Sequence, residues 1–208
     1  MLTEIITFAQ KGGYLMIPLV ICSVLSVAVI IERFFALRTK KIIIPEVKSV
    51  IKNISGEDDI NLALNVCSQH RGILSNIMTL VLEHKGSNYI EMRDELSDSG
   101  RQEIRILERG LVILETIASV TPVLGLLGTV VGMIKVFNVI AIQGVGEASA
   151  LSGGISEALI TTAAGLTVGI PALIFYNYFS KKAENIILDI ENISSSLLKK
   201  IISFRSEK

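Results

Sequence analysis

ALITTAAGLTVGIPALIFYNYFS, residues 158–180, runs for 23 residues without a charged side chain. A bilayer core takes about 20 apolar residues of helix, and helices inside water-soluble domains rarely hold such runs. This stretch is read as a membrane span. Two further uncharged runs precede it, 18 residues at Tyr14–Ile31 and 19 at Thr116–Ile134. Three spans take up much of a 208-residue chain that is 50% hydrophobic and has a mean hydropathy of +0.57. A single soluble domain, the default at this length, is excluded. The fold class is an all-α membrane protein with three transmembrane helices.

Flanking charges set the expected topology. Arg33, Arg38, Lys40 and Lys41 follow the first span, and Lys181 and Lys182 follow the third, whereas Gly144–Ser156 carries no Lys or Arg. The positive-inside rule puts that connector outside and the C-terminus in the cytoplasm, so three spans leave the N-terminus outside. The expected layout has an amphipathic outer-face N-terminus over 1–13 and spans over 14–37, 111–139 and 151–180. A cytoplasmic helical segment fills 38–110, an outer connector 140–150 and a cytoplasmic C-terminal helix 181–208. Only Lys11 directly precedes the first run and no small-residue cleavage site follows it before Glu32-Arg33, so the first span is expected to remain in the mature protein.

The segment between the first two spans reads as helical. Pro45 suits a helix start, Ser55-Gly56 and Lys85-Gly86-Ser87 punctuate, and Asn88 with Glu91 forms a capping-box pattern. Met92, Leu96, Ile104, Leu107, Leu111 and Leu114 then continue an apolar stripe into the second span, which predicts one unbroken helix. After the third span, Ile186, Ile187, Ile190, Ile193, Leu197, Leu198 and Ile201 repeat at helical spacing, the pattern of a packing face.

Composition removes several function classes. With 20 basic and 20 acidic residues the net charge is zero, which argues against nucleic-acid binding. Cys22 and Cys67 make no metal spacing with His70 or His84 and read as small apolar residues. No nucleophile–base constellation, P-loop or dinucleotide glycine pattern is present. No enzyme activity, cofactor or metal is expected.

What remains lies inside the membrane. Gly125, Gly128 and Gly132 in span two, and Gly165 and Gly169 in span three, stand in small-xxx-small spacing, which lets helix backbones pack closely. Pro122 and Pro171 are tolerable where neighbours satisfy freed carbonyls. Glu157 lies about two turns inside the outer boundary, where a carboxylate is costly unless paired, hydrated or protonated. That suits a group that takes up and releases a proton; the competing reading is an interfacial Glu marking the span end. Counting from Val145, Thr129 lies 16 residues before and Thr161 16 after. If spans two and three form a hairpin, Thr129, Thr161 and Thr162 share one depth. A ring of such hydroxyls in an oligomer lines a polar path, while a lone membrane Thr bonds its own i−4 carbonyl. Glu157 shares a helix face with Thr161, and Thr162 belongs to the small-residue stripe. Glu32-Arg33 is expected to snorkel at the inner interface. Glu115 is expected to be hydrated near the inner face, with a second relay carboxylate as the alternative. Lys135 is expected to snorkel at the outer side or to pair with Glu147.

Three segments closely resemble the MotA/TolQ/ExbB proton channel family. They are Gly13–Leu37 with its Ile31-Glu-Arg-Phe exit, Ile117–Ile134, and Ile155–Pro171 with Tyr176-Asn177. The resemblance implies a homopentamer around a central pore that holds two copies of an ExbD-, TolR- or MotB-like single-pass partner, whose aspartate carries the ion. It matches Glu157, Thr129 and Thr162 to the family's polar pore positions; Thr161 is commonly Ala there and is less firmly tied. Three spans place the chain with the ExbB and TolQ branch of the bacterial inner membrane. The implied function is to use the proton motive force, with a TonB- or TolA-like transducer, for outer-membrane transport or envelope work. Tandem Thr161-Thr162 also suits Na⁺, with H⁺ the first expectation. The alternatives are a non-conducting scaffold assembled through the glycine faces, and a small secondary transporter, which the lack of an inverted repeat disfavours.

Overall fold

The computed structural model describes residues 12–70, 72–83, 89–144 and 148–206. Every regular element among them is helical: α1 (Met16–Ala36), α2 (Thr39–Ile42), α3 (Pro45–Asn53), α4 (Glu57–Gln69), α5 (Ile73–Glu83), α6 (Tyr89–Glu108), α7 (Leu111–Gln143) and α8 (Ala148–Ser206). The chain forms two compact units, one of Met1–Arg33 with Gly110–Tyr178, the other of Phe34–Arg109 with Phe179–Lys208.

The first unit holds the apolar runs of α1, α7 and α8, the three helices long and apolar enough to cross a membrane. Only 17, 22 and 28% of their most apolar windows are buried inside the structure. Val24, Val123, Phe137, Leu159 and Ile174 point outward and are exposed. Apolar surface on this scale requires lipid or other chains to cover it. The protein is a multi-pass membrane protein.

Glycine decides how α7 and α8 meet. A Cβ on Gly165 would stand 2.5 Å from the Thr121 carbonyl oxygen and 3.0 Å from Gly125 Cα. One on Gly132 would stand 2.7 Å from Ala158 Cβ and 2.9 Å from the Gly154 oxygen, and one on Gly128 would overlap the Thr161 side chain. Gly169 packs on Pro122, whose Cγ would be 2.8 Å from an added Cβ. The five glycines picked out by their spacing thus all lie in one antiparallel seam, joined by Gly154, which that spacing did not single out. Close backbone approach gives dispersion contact in a setting where lipid offers no hydrophobic drive between helices.

One expected element is corrected. The stripe from Met92 to Leu114 is carried by two helices, α6 and α7, because Gly110 between them takes φ +83°. Glycine adopts this left-handed conformation without a Cβ penalty, so the apolar stripe continues in sequence while the helix does not. By contrast, α8 runs without interruption from Ala148 to Ser206.

The second unit packs α2–α6 and the C-terminal stretch of α8 around Val47, Ile60, Leu74, Met78, Leu82, Ile190 and Leu197, each no more than 4% exposed. Pro45 opens α3 as its spacing suggested. Ile186, Ile190, Leu197, Leu198 and Ile201 are all buried, so this stripe is a packing face. Lys200 Nζ donates to the carbonyls of Lys52 at 2.6 Å and Ile54 at 3.0 Å, satisfying acceptors left open at the C-terminus of α3. Asn76 Nδ2 donates to Glu103 Oε1 at 2.8 Å and ties α5 to α6. The Asn88 capping box, Lys85-Gly86-Ser87 and most of the 1–13 segment fall outside the described residues.

Cys67 is 4% exposed, and burial pushes its thiol above the usual range, with a hydrogen bond to Thr79 acting weakly the other way. The raised thiol stays neutral to higher pH in the folded protein, so its contribution to stability is fully present below the unfolded value and is lost as pH rises from there through the folded one. Alkylation needs the thiolate, so iodoacetamide at pH 8 should modify Cys67 at least about ten-fold more slowly in the folded protein than in denaturant, read by mass spectrometry. In the seam, Gly165→Ala should cost about 1–3 kcal/mol in detergent unfolding, because backbone atoms cannot give way. Gly153→Ala, which meets nothing within 4 Å, should be neutral or stabilising by up to about 1 kcal/mol.

Candidate functional site

The seam sets the level of every polar side chain on α7 and α8. Gly132 meets Ala158, so Lys135, one turn on along α7, comes beside Glu157 on α8. Lys135 Nζ donates to Glu157 Oε1 at 2.6 Å. The Glu157 side chain is 20% exposed and the Lys135 side chain 47%, so the carboxylate is the more enclosed partner.

The segment just before α1 completes the site. Gly13 takes φ +70°, and the place a Cβ would occupy there is filled by the Glu157 carboxylate. Both the backbone conformation and the space call for glycine. The Lys135 ammonium stands 6.0 Å from the centre of the Tyr14 ring, within reach of cation–π attraction. Three segments of the chain therefore converge on one carboxylate: 13–14, α7 and α8.

The pairing with Glu157 is one that neither expectation for Lys135 named, and Glu147 lies outside the described residues. The signal was present in the register. Lys135 lies 10 residues before Val145 and Glu157 12 after it, nearly the same depth in a hairpin.

The three threonines behave differently. Gly128 packs against Thr161, so Thr129 and Thr161 do lie at one level. Thr129 is half-buried, and its hydroxyl donates to the Leu126 carbonyl at 2.6 Å. Thr161 is 1% exposed and donates to the carbonyls of Glu157 at 2.6 Å and Ala158 at 3.1 Å. It sits inside the seam, away from any open face. Thr162 reaches across to α7 and donates to the Gly125 carbonyl at 2.9 Å. Two hydroxyls thus bond within their own helices, and the third joins the helices.

Other charges lie elsewhere in the unit. Arg33 is 3% exposed and grips Glu32 with two guanidinium nitrogens, Nε to Oε2 at 2.8 Å and Nη2 to Oε1. Its Nε lies 3.6 Å from where a Cβ on Gly110 would stand. Tyr176 of α8 and Glu115 of α7 interact electrostatically, a second link between the two helices through a carboxylate. Among the described residues, no cluster of His, Cys, Asp and Glu could hold a metal.

A helical, multi-pass membrane protein with a paired carboxylate on a glycine-packed hairpin is the class these observations define. A sequence model of the MotA/TolQ/ExbB proton channel family matches residues 69–192. The ExbB-like 3 biopolymer transport protein of Synechocystis sp. is 33% identical over 178 residues, 82% of each chain. The biopolymer transport protein exbB1 of Vibrio cholerae is 30% identical over 188 residues, 88% of this chain and 82% of its own. The Tol-Pal system protein TolQ of Pseudomonas aeruginosa is 43% identical over 81 residues, 39% of this chain and 35% of its own. The chain belongs to the MotA/TolQ/ExbB proton channel family.

The ion pair can be measured directly. Lys135→Met and Glu157→Gln each leave a charge without its partner, so the double variant should unfold at a higher temperature than the two single losses sum to. The coupling expected for a half-exposed pair is about 1 kcal/mol. Strict additivity would show that the two side chains do not hold each other.

Proposed function

We propose that this chain is the pore-wall subunit of an ion-driven motor complex in the bacterial inner membrane. Five copies surround a central pore, with the N-terminus outside and the C-terminal part of α8 extending into the cytoplasm. Two copies of an ExbD- or TolR-like single-pass partner occupy the pore. Ion flow down the proton motive force then drives outer-membrane transport or envelope work through a TonB- or TolA-like transducer.

One observation carries this reading: Glu157 is a mostly enclosed carboxylate on an otherwise uncharged stretch of an apolar helix. Such a group is costly in hydrocarbon unless it has a task or a partner. Lys135 supplies a partner while the site is at rest, and an incoming cation competes with it for Oε1. Thr129 and Thr162 lie at the next level along the hairpin, where their hydroxyls can accept from a passing hydrated ion. The exposed apolar faces of α1, α7 and α8 give the area that subunit contacts and lipid must cover. Family membership and relatives named for biopolymer transport and the Tol-Pal system support the same reading.

A non-conducting scaffold is the second reading. It is favoured by the hydrogen bonds of Thr129 and Thr161, which already satisfy both hydroxyls inside their own helices.

The deciding experiment is ion flux into vesicles holding the co-expressed complex. Glu157→Gln should lower flux about a hundred-fold, the scale of losing a group that exchanges protons. Thr129→Val should lower it about five-fold, the worth of one hydrogen bond. Native mass spectrometry of the same preparation should give five copies with two of the partner. Normal flux in both variants with assembly intact would establish the scaffold.

A further inference from the structure

The turn that leads into α1 lies along one face of α8. A Cβ on Gly12 would stand 3.2 Å from Ile160 Cγ2, and one on Gly13 would overlap the Glu157 carboxylate. Glu157 and Ile160 are neighbours on one helix face, so the two glycines seat the turn against it. Leu15 and Met16 are each 8% exposed, and Met16 N donates to the Gly13 carbonyl at 3.1 Å. The backbone around Tyr14 is thereby held, while Tyr14 itself is 60% exposed.

Lys135 thus has two partners at different ranges, Glu157 Oε1 at 2.6 Å and the Tyr14 ring centre at 6.0 Å. Its ammonium rides on a flexible four-carbon stem, and 47% of the side chain is exposed, which leaves it room to swing. The two partners respond differently to an arriving cation or proton. Either arrival cancels the charge of Glu157 and with it that carboxylate's hold on the lysine. The negative face of an aromatic ring does not titrate and keeps its attraction. A lysine without a countercharge beside hydrocarbon is costly. Among the other described acids of this unit, Glu115 lies 20 residues before Lys135, about 30 Å along α7, and Glu32 is gripped by Arg33. The Tyr14 ring is the nearest attraction that remains.

We propose that Tyr14 is a positioning residue whose ring receives the Lys135 ammonium whenever Glu157 is neutralised or taken by a cation. The ring lowers the cost of vacating Oε1 and keeps the lysine close for its return. The part this exchange plays in ion flow rests on the pore-wall reading, whereas the exchange itself does not.

The test is NMR of the full chain in detergent with isotopically labelled lysine, the Lys135 ε-methylene signal being assigned by its loss in Lys135→Met. An aromatic face shields protons above it, so Glu157→Gln should move this signal upfield. Adding Tyr14→Phe should preserve the shift, and adding Tyr14→Leu should abolish it. No upfield shift, or the same shift with Tyr14→Leu, would overturn the proposal. Ion flux into vesicles holding the co-expressed complex then reads the consequence. Tyr14→Leu should lower flux about three-fold, the worth of one exposed cation–π contact, and Tyr14→Phe should retain it. Trifluorophenylalanine in place of Tyr14 keeps a ring but removes the negative charge of its face, and should behave as Tyr14→Leu does. Normal flux with Tyr14→Leu, where Glu157→Gln loses it, would overturn the role in ion exchange and leave the pore wall standing. Normal flux in Glu157→Gln would overturn the pore-wall reading instead, with the lysine signal still deciding the exchange.

Discussion

The close approach of α7 and α8 governs the first unit. Gly165 stands so near Thr121 and Gly125 that no side chain fits between the backbones. Gly128, Gly132 and Gly154 extend that approach along the pair. Once two helices are pressed together at several points, neither can slide or rotate without collision, and the register is fixed. Lys135 and Glu157 meet because of that register. So do Thr162 and the Gly125 carbonyl, a hydrogen bond that exists only where a backbone comes within reach of a side chain. A looser, leucine-lined contact would separate the helices by a side-chain layer and would leave that carbonyl out of range.

The hairpin spends its small residues on its own seam, so its outward faces are left large and apolar. Leu126, Val130 and Phe137 on α7, with Leu159, Leu166 and Ile170 on α8, are all exposed. The polar groups on these helices are correspondingly few and nearly all engaged. Thr116, Ser119, Thr121 and Thr167 each return their hydroxyl to the carbonyl four residues earlier, the arrangement that costs least where water is absent. Against that background Glu157 stands out, since its partner is a lysine on another helix that keeps half its side chain in contact with the surroundings.

The sequence disclosed what depends on composition and spacing. Three uncharged runs identify the spans because hydrocarbon tolerates little else, and paired glycines identify the seam because few other residues allow backbones to touch. The apolar stripe after Ser180 identifies a packing face for the same reason that any helical stripe does. What the sequence hid depends on single dihedral angles or on side chains choosing among partners. Gly110 looks like an acceptable residue within a helix until its φ of +83° ends one. Arg33 has many possible acceptors by sequence, and only the fold shows that it pairs with the adjacent Glu32. Lys135 has an acid 22 residues on in sequence that only the hairpin register brings beside it.

The enclosed carboxylate illustrates how far packing determines chemistry here. Glu157 is held from three directions by features that have little polarity of their own: a glycine turn at Gly13, a glycine-packed neighbour at Ala158, and an aromatic ring behind Lys135. None of these would be picked out as an ion site by residue type. Together they restrict where the carboxylate can go and leave Lys135 as its nearest cation. A side chain so placed has Gly13 on one side and Lys135 of α7 on the other.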